Sequence, residues 1–371
     1  MAVSVDVIAA AEPIVRVNPY QEYQRGEGVP IVRGFHVADL NALELAPWPR
    51  KGGRGCFVNL DGTGGTNDAY VCEIAPGGSL NPQRQLFEEM VYVLEGSGST
   101  QVWYDENKKV SFEWRAGSVF AIPLNAWHRH FNGRGDRPAR YLAVTSAPLI
   151  INVFHNLDFV FGNDFAFTDR FAAQDDFFSG DGRRLRARRN LVLETNFVPD
   201  VRALELIGGG ERGAGGRLIL LELANNTMAA HVSEFPVGTY KKAHRHGPGA
   251  HVIILDGSGY SLLWPQGEAP RRVDWAAGSM VVPPENWFHQ HFNSGARPAR
   301  YLALRWGSQR YDLGGAIQAG EEAHDVSVKE GGLQIEYADE DPAIHREFEE
   351  SLARAGAVCR MRSMVPWCTA E

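Results

Sequence analysis

The chain repeats itself once, and this repeat limits its fold more than any other feature of the sequence. Aligning Gly96 with Gly257 gives an offset of 257 − 96 = 161 residues. Three stretches recur in the same order, the last after one dropped residue: EEMVYVLEGSGSTQVW (88–103) and GAHVIILDGSGYSLLW (249–264), RAGSVFAIPLNAWHRHFN (115–132) and AAGSMVVPPENWFHQHFN (276–293), RPARYLAV (137–144) and RPARYLAL (297–304). A period of this length indicates two copies of one domain and not a solenoid.

Each copy has the pattern of β structure. The short apolar runs VYVLEG and VIILDG end in acidic-Gly turns, and SVFAIP and SMVVPP end in proline. Strands spaced about 8–12 residues apart with Gly and Pro between them predict sandwiches or barrels. A clear helical pattern appears only in AIHREFEESLARAG (343–356), which follows Asp341 and Pro342 and ends at a glycine. The glycine-rich stretch 51–68 is predicted as loop and turn.

The fold class predicted is therefore all-β, with two barrels in tandem and a C-terminal helix. We predict an N-terminal barrel with its arm over 1–146, a connector over 147–215, a second barrel over 216–310 and a C-terminal extension over 311–371. The connector is rich in aromatic residues between 154 and 171. It is therefore expected to pack against the barrels.

Composition narrows the class of protein. The formal net charge is −8 over 371 residues, which argues against a nucleic-acid-binding surface. No run approaches the roughly 18 apolar residues of a membrane span, and the first residues lack the basic start of a signal peptide. The four cysteines form no CxxC pair. We expect a reduced, cytoplasmic protein that binds neither nucleic acid nor membrane.

Histidines suggest a metal site in the second copy. His244 and His246 are two residues apart, so on a strand they point to the same face. His289 follows 289 − 246 = 43 residues later, where a neighbouring strand of the same wall is predicted. Three imidazoles suit Fe, Zn, Cu or Ni better than Mg or Ca. Three protein ligands that leave positions open are typical of a catalytic metal site.

The first copy lacks this set of imidazoles. At the offset of 161, His244, His246, Ala250 and His289 correspond to Gln83, Gln85, Glu89 and His128. A carboxamide oxygen is a weak ligand for a transition metal. We predict that the first barrel is metal-free and structural. The alternative is a small-molecule site formed by this polar cluster.

The spacing around these residues resembles a known family. Gly238-x5-His244-x-His246 and Gly278-x5-Pro284-x4-His289-x3-Asn293 resemble the two sequence motifs of the cupin superfamily. Because both copies match, the chain resembles a bicupin. The resemblance implies two jelly-roll barrels and a metal held inside a barrel by two motif-1 histidines, a motif-1 glutamate and the motif-2 histidine. The family usually has Gly two residues after the motif-2 proline, where this chain has Asn286.

The glutamate of the family's motif is missing from the second copy. Counting seven residues back from Gly257 gives Ala250, and a slipped loop would give His251 instead. Strand parity favours Ala250 facing the barrel interior, so we expect three histidine ligands. A fourth ligand, His251, is the alternative. Three neutral imidazoles keep the full +2 charge of a metal, which favours an anionic, bidentate substrate.

A narrower resemblance suggests the chemistry. His-Arg-His without the glutamate, followed by Trp-x-His-x-His-x-Asn, is similar to the gentisate 1,2-dioxygenase group, and the stretches that carry the likeness are 257–263 and 286–295. Members of that group are bicupins of similar length that use Fe(II) to cleave aromatic rings. Their iron usually lies in the first cupin, whereas this chain has the histidines in the second.

Two further residues are candidates for catalysis. His291 shares the face of His289 and is a candidate acid–base group, although its counterpart His130 favours a structural role. Arg305 is a candidate to hold a substrate carboxylate, as is Arg300, and a surface salt bridge is the alternative for both. Three aromatic residues are candidates to line the pocket, with a place in the core as the alternative: Trp264, Trp287 and Phe288.

The sequence thus predicts a non-haem Fe(II)-dependent dioxygenase that acts with O2 on a small aromatic or oxygenated acid chelated to the metal. Mn, Ni and Zn are the alternative metals. A metal-dependent decarboxylase or isomerase is a second hypothesis, and a non-catalytic small-molecule-binding bicupin is a third. The family resemblance also implies a homo-oligomer.

Overall fold

A computed structural model describes residues 12–187, 190–208, 213–311, 323 and 325–369. The helices are α1 Pro19–Glu27, α2 Ala147–Phe154, α3 Leu157–Gly162 and α4 Pro342–Ala355, with 3-10 turns at Leu40–Ala42, Val328–Glu330 and Tyr337–Asp339. Among these described residues, no helix has both the length and the apolar character needed to cross a membrane.

The strands before residue 150 are β1 Ile31–Gly34, β2 His36–Val37, β3 Ala46–Trp48, β4 Gly53–Leu60, β5 Asp68–Ile74, β6 Glu89–Glu95, β7 Ser97–Trp103, β8 Val110–Arg115, β9 Val119–Ile122, β10 Trp127–Asn132 and β11 Ala139–Thr145. Those after it are β12 Arg183–Ala187, β13 Asn190–Thr195, β14 Phe197–Val198, β15 Ile207–Gly208, β16 Arg217–Leu223, β17 Met228–Phe235, β18 His251–Asp256, β19 Ser258–Trp264, β20 Arg271–Ala276, β21 Met280–Val281, β22 Phe288–Phe292 and β23 Ala299–Trp306.

Each copy folds into a large sheet facing a three-stranded sheet. In the first copy the large sheet runs β1-β4-β5-β11-β6-β9-β14, with β3 on β4, and faces β10-β7-β8. In the second it runs β12-β13-β16-β17-β23-β18-β21-β2, with β15 on β16, and faces β20-β19-β22. Alternation places apolar side chains between the sheets, as in β8, where every second residue is buried. The prediction of two tandem jelly-roll barrels is confirmed.

The two barrels exchange strands. The N-terminal arm contributes β2 to the second large sheet beside β21, and β14 joins the first large sheet beside β9. The sequence carries this relationship too, because 34–45 and 195–206 align at the same offset of 161. Strands of both sheets therefore lie within 147–215, the segment predicted as a connector. The two large sheets pack back to back on an apolar cluster that includes Val58, Leu142, Leu221 and Leu302.

The C-terminal helix forms as predicted, as α4. The Asp341 carboxylate accepts from the Ala343 amide, Pro342 occupies the first turn, and Gly356 ends the helix with a φ of 65°. Phe348 and Leu352 pack on the outer face of the small sheet of the second barrel. The sequence did not predict α1, α2 or α3, which have 9, 8 and 6 residues and are too short to show a helical period.

The prediction of loop and turn over 51–68 was wrong for the strand β4. A Cβ atom on Gly55 would lie 2.5 Å from Trp48 Cε3 and 2.6 Å from the Val71 oxygen. The glycine is therefore required by the close approach of the indole and the next strand. Residues 51–52 form a turn and residues 61–67 form the loop between β4 and β5, where Gly62 lies against Pro284 of the second barrel.

Candidate metal centre

The structure brings the three predicted histidines of the second barrel together. The ring centroids of His244 and His289 are 4.3 Å apart, those of His246 and His289 are 4.8 Å apart, and those of His244 and His246 are 5.7 Å apart. One ring nitrogen from each lies within 4.8 Å of the others. His244 and His289 face each other across a backbone bridge with N to O distances of 3.1 and 2.9 Å. The strand β22 thus carries His289, and the segment between β17 and β18, held to it by the bridge at His244, brings the other two imidazoles to the same point.

Backbone carbonyls set the tautomer of each ring. Nδ1 of His244 lies 3.2 Å from the Lys242 oxygen, Nδ1 of His246 lies 3.2 Å from the Gly247 oxygen, and Nδ1 of His289 lies 3.3 Å from the Trp287 oxygen. A carbonyl oxygen can only accept, so each Nδ1 carries the proton and each Nε2 carries the lone pair. A hydrogen bond from the remaining ring nitrogen to a carbonyl oxygen is how metal-binding histidines are oriented in proteins. The donor set therefore fits a transition-metal ion.

His251 lies apart from this group. Its Nδ1 accepts a hydrogen bond of 3.0 Å from the Asn67 amide of the first barrel. Ala250, the preceding residue, belongs to the interior cluster of the second barrel. The predicted parity is therefore observed, with Ala250 facing in and His251 facing the other barrel. Complete burial lowers the pKa of His251 to about 3.

Asn286 meets the backbone requirement that glycine meets in the family motif. It adopts a φ of 60°, and its counterpart in the first barrel, Asn125, adopts 58°. Asparagine tolerates this left-handed region better than most residues. The Asn286 amide donates to the His246 oxygen at 2.8 Å. The departure from the motif therefore keeps the turn that positions His246.

Arg305 lies on β23, beside Ala250, the position at which the family motif has a glutamate. His251 pairs with Leu304 across β18 and β23, so Ala250 and Arg305 are the next residues along on the two strands. Burial raises the pKa of Glu222, and the positive charge of Arg305 acts in the opposite direction. The guanidinium thus lies within electrostatic range of a buried carboxyl group.

The second arginine candidate, Arg300, is held elsewhere. Its Nε donates to a Glu234 carboxylate oxygen at 2.9 Å, and Nη1 donates to the Leu204 oxygen at 3.2 Å. Both groups lie on the side of the large sheet that faces away from the barrel interior. Arg300 therefore forms a structural ion pair, which was the alternative interpretation of this residue.

His291 occupies an arrangement that both barrels share. Its Nδ1 lies 2.7 Å from the Ser261 hydroxyl, which also accepts from Trp275 Nε1 at 3.0 Å. In the first barrel, His130 lies 2.7 Å from the Thr100 hydroxyl, which accepts from Trp114 at 2.9 Å. The ring of His291 is 5.8 Å from that of His289. His291 therefore lines the barrel beside the metal ligands. The first barrel has the same hydrogen bonds around His130 although it lacks the three-histidine set.

The aromatic candidates divide between two faces. Trp264 and Phe288 stack at 5.7 Å on the outside of the small sheet, within the cluster covered by the C-terminal extension. Arg245 also points outward, with its guanidinium 4.9 Å from the Phe288 ring. Trp287 packs against the interior cluster and lies 5.7 Å from Phe35. Trp287 alone of the three contacts the barrel interior.

The first barrel fills the equivalent position with a buried polar network. Gln85 donates to Glu89 at 3.0 Å, and the Tyr70 hydroxyl donates to Glu89 at 2.8 Å. Lys51 Nζ donates to the Tyr70 hydroxyl at 3.0 Å and to Gln83 at 3.3 Å. The sequence did not single out Lys51 or Tyr70, because Lys51 lies in the glycine-rich stretch and neither residue belongs to a motif.

A buried ammonium changes what this network can bind. Glu89, His128 and His130 bring ligand-type atoms within 4.8 Å of one another, but Lys51 is only 5% exposed beside them. Burial lowers the pKa of His128, the Glu89 carboxylate raises it, and the positive charge of Lys51 lowers it. A cation placed at Glu89 would meet the same repulsion.

This chain has two jelly-roll barrels and a cluster of imidazoles inside one of them. The fold and the site therefore place it in the class of double-barrel metal-binding proteins. A family model described as a cupin domain matches residues 70–145, and the second copy repeats the strands of that segment. Residues 70–145 thus form a cupin domain, and the internal repeat indicates a second barrel of the same kind.

Relatives are distant. The chain is 28% identical over 97 residues to a 5-aminosalicylate 1,2-dioxygenase of Comamonas sp, and this alignment covers 25% of the chain and 24% of that protein. A deletion mutant of Bacillus subtilis oxalate decarboxylase OxdC matches with 14% identity over 74% of this chain and 78% of that one, at a TM-score of 0.48. A formate complex of Lactobacillus farciminis oxalate decarboxylase matches with 13% identity over 74% and 86%, also at 0.48.

Proposed function

We propose that this bicupin is a metal-dependent dioxygenase whose second barrel acts on a small aromatic or oxygenated acid. The observation that carries the proposal is the set of three imidazoles, each with Nδ1 on a backbone carbonyl, beside Ala250 where a carboxylate ligand would stand. The short alignment with a 5-aminosalicylate 1,2-dioxygenase supports an aromatic acid as the substrate class.

His244, His246 and His289 would hold the metal, for which Fe(II) is the first choice and Mn, Ni and Zn are alternatives. Bound Fe(II) would supply a template for a chelating substrate and a redox centre for O2. Because all three ligands are neutral, they add no negative charge to the site. The protein therefore favours an anionic partner in the remaining positions.

The protein's part is to bind and orient that anion. Arg305 lies level with Ala250 on the adjacent strand, so its guanidinium can hold a carboxylate in the space that a glutamate ligand would take. Arginine suits this task because its planar fork forms two parallel hydrogen bonds. His291 offers a further polar group 5.8 Å from the ring of His289.

The first barrel has a structural role in this proposal. The Lys51–Tyr70–Glu89 network forms the hydrogen bonds of Glu89, the residue that corresponds to Ala250 of the second barrel. Its loop between β4 and β5 reaches the second barrel, where the Gly249 amide donates to the Gly62 oxygen at 2.8 Å. This contact lies three residues from His246, so the first barrel supports the motif-1 loop.

The test is oxygen uptake by Fe(II)-loaded protein with 5-aminosalicylate, gentisate, salicylate and oxalate. We expect consumption of one O2 per molecule of ring-cleaved product with at least one hydroxylated aromatic acid, and no uptake by His244→Ala. Carbon dioxide release from oxalate without net oxygen uptake would instead identify a decarboxylase. Inactivity of metal-loaded protein toward the whole panel would favour a binding protein.

A further inference from the structure

A second group of metal-type side chains lies outside both barrels. It joins His345 and Glu349, one turn apart on α4, to Cys359 and Cys368 of the C-terminal extension. One ligand-type atom from each of the four lies within 4.8 Å of the others. His345 and Cys368 are buried, and Glu349 and Cys359 are partly exposed. None of these residues takes part in the proposed dioxygenase site.

The spacing within the group is close to that of a tetrahedral site. The two sulfur atoms are 3.6 Å apart, His345 Nε2 is 3.2 Å from Glu349 Oε1, and Cys368 Sγ is 3.8 Å from the same oxygen. Zinc bonds of about 2.3 Å to sulfur and about 2.0 Å to nitrogen and oxygen give tetrahedral edges of about 3.8, 3.3 and 3.5 Å in the same order. Each observed distance lies within a few tenths of an ångström of its expected edge.

A chain of hydrogen bonds orients His345 for a cation. The Tyr240 hydroxyl donates to Glu340 at 2.6 Å and lies 3.2 Å from Nδ1 of His345. Nδ1 of His345 therefore faces the Tyr240 hydroxyl, and Nε2 faces Glu349. A hydrogen-bond chain that ends in a carboxylate is typical of the groups that orient histidine ligands in metal sites.

The cluster brings electron-rich donor atoms together at close range. His345 Nε2 faces Glu349 Oε1, the two cysteine sulfur atoms face each other, and Cys368 Sγ also lies near Glu349 Oε1. A bound divalent ion would satisfy all of these groups at once.

We propose that His345, Glu349, Cys359 and Cys368 form a structural Zn²⁺ site. Two thiolates, an imidazole and a carboxylate select a borderline-soft ion of tetrahedral geometry and leave no open position for a substrate. Binding displaces the two thiol protons, which pass to solvent, and needs no change in oxidation state.

The site would fix the C-terminal extension to the wall that carries the catalytic histidines. Tyr240, which contacts His345, lies four residues before His244 and stacks on Phe292 at 4.8 Å. The extension also forms backbone bonds to the same segment, from Ile335 to Ala243 at 2.8 Å and from Arg245 to Leu333 at 3.1 Å. Loss of zinc should therefore loosen the outer support of His244 without removing any ligand of the catalytic metal.

Elemental analysis of the full-length protein, purified under reducing conditions, tests this site. We expect about one zinc per chain in the wild type and in His244→Ala, and less than a fifth of that in Cys359→Ser and Cys368→Ser. Glu349→Gln should lose zinc more readily to a chelator, whereas Glu347→Gln on the same helix should behave as the wild type. Cobalt substitution should give the intense near-ultraviolet absorption of thiolate ligation, which each cysteine variant would lose.

Two results would overturn the proposal. One is a chain that holds no zinc after reconstitution while all four thiols react in denaturant. The other is a Cys359–Cys368 disulfide, seen as two thiols missing until a reductant is added. Because oxygen uptake depends on a different metal centre, these outcomes are separate from the test of the dioxygenase.

Discussion

Asn67 of the first barrel donates to Nδ1 of His251 in the second, at 3.0 Å, and so joins the two barrels through a completely buried imidazole. Because Nδ1 accepts this bond, the ring is neutral with its proton on Nε2. Protonation would set an N–H group against the donor amide in a site without counter-charge. Burial of the ring lowers the pKa of His251 to about 3.

The His251→Gln variant should be less sensitive to acid than the wild type. The folded pKa of His251 is below its unfolded value, so its contribution to stability is complete above about pH 6.5 and is lost as pH falls toward 3. Glutamine keeps an acceptor for Asn67 but does not titrate. Between pH 6.5 and 4 the wild type should lose on the order of 3 kcal/mol more unfolding free energy than the variant. Urea unfolding across this range measures the difference, and equal losses would contradict the assignment.

The His244→Ala variant should lose the catalytic metal, whereas Gln83→Ala at the equivalent position of the first barrel should keep it. Removing one of three imidazoles leaves two ligands, too few for a stable site. The measurement is metal content per chain after loading with Fe(II) and desalting. Iron loss from Gln83→Ala as well would show that the first barrel also binds metal and that the assignment of sites is wrong.

His291 and His130 occupy equivalent positions in the two barrels, so comparing their variants distinguishes a catalytic role of His291 from a structural one. His291→Gln and His130→Gln remove the same bond to a barrel hydroxyl, so both should lower the melting temperature by a similar amount. If His291 also contacts the substrate, only its variant should lower kcat, by about 10²- to 10⁴-fold for a lost acid–base group. Equal activity of the two variants would leave His291 with the structural role alone.

Much of the second-barrel site follows from local patterns. The repeat identifies strands twice, and strand parity alone places Ala250 inside and His251 outside, as observed. These inferences succeed because alternation on a strand is a property of a few consecutive residues. The prediction that His244 and His246 lie on a strand was not met, because they lie between β17 and β18, where His244 forms only isolated bridges, one of them to His289.

Features that depend on distant parts of the chain could not be predicted in this way. Lys51 reaches Gln83 through a turn in a glycine-rich stretch, and its partner Tyr70 lies on another strand. His345 and Glu349 are recognisable as neighbours on one helix, but nothing near them in sequence points to Cys368. The strand exchange of β2 and β14 is encoded in weakly similar segments, which become clear only once the pairing is known.

The Arg305→Ala variant should bind acidic substrates less well while keeping its metal. A charge-assisted hydrogen bond contributes about 1.5 to 3 kcal/mol, so KM for a carboxylate substrate should rise roughly 10- to 100-fold, with a smaller change in kcat. Arg297→Ala is the matched control, because Arg297 is an exposed arginine paired with Asp256 at 2.7 Å. Replacing the substrate carboxylate by an amide should abolish the difference between Arg305→Ala and the wild type. If instead the variant loses metal, or discriminates equally against acid and amide, Arg305 supports the barrel and does not hold the substrate.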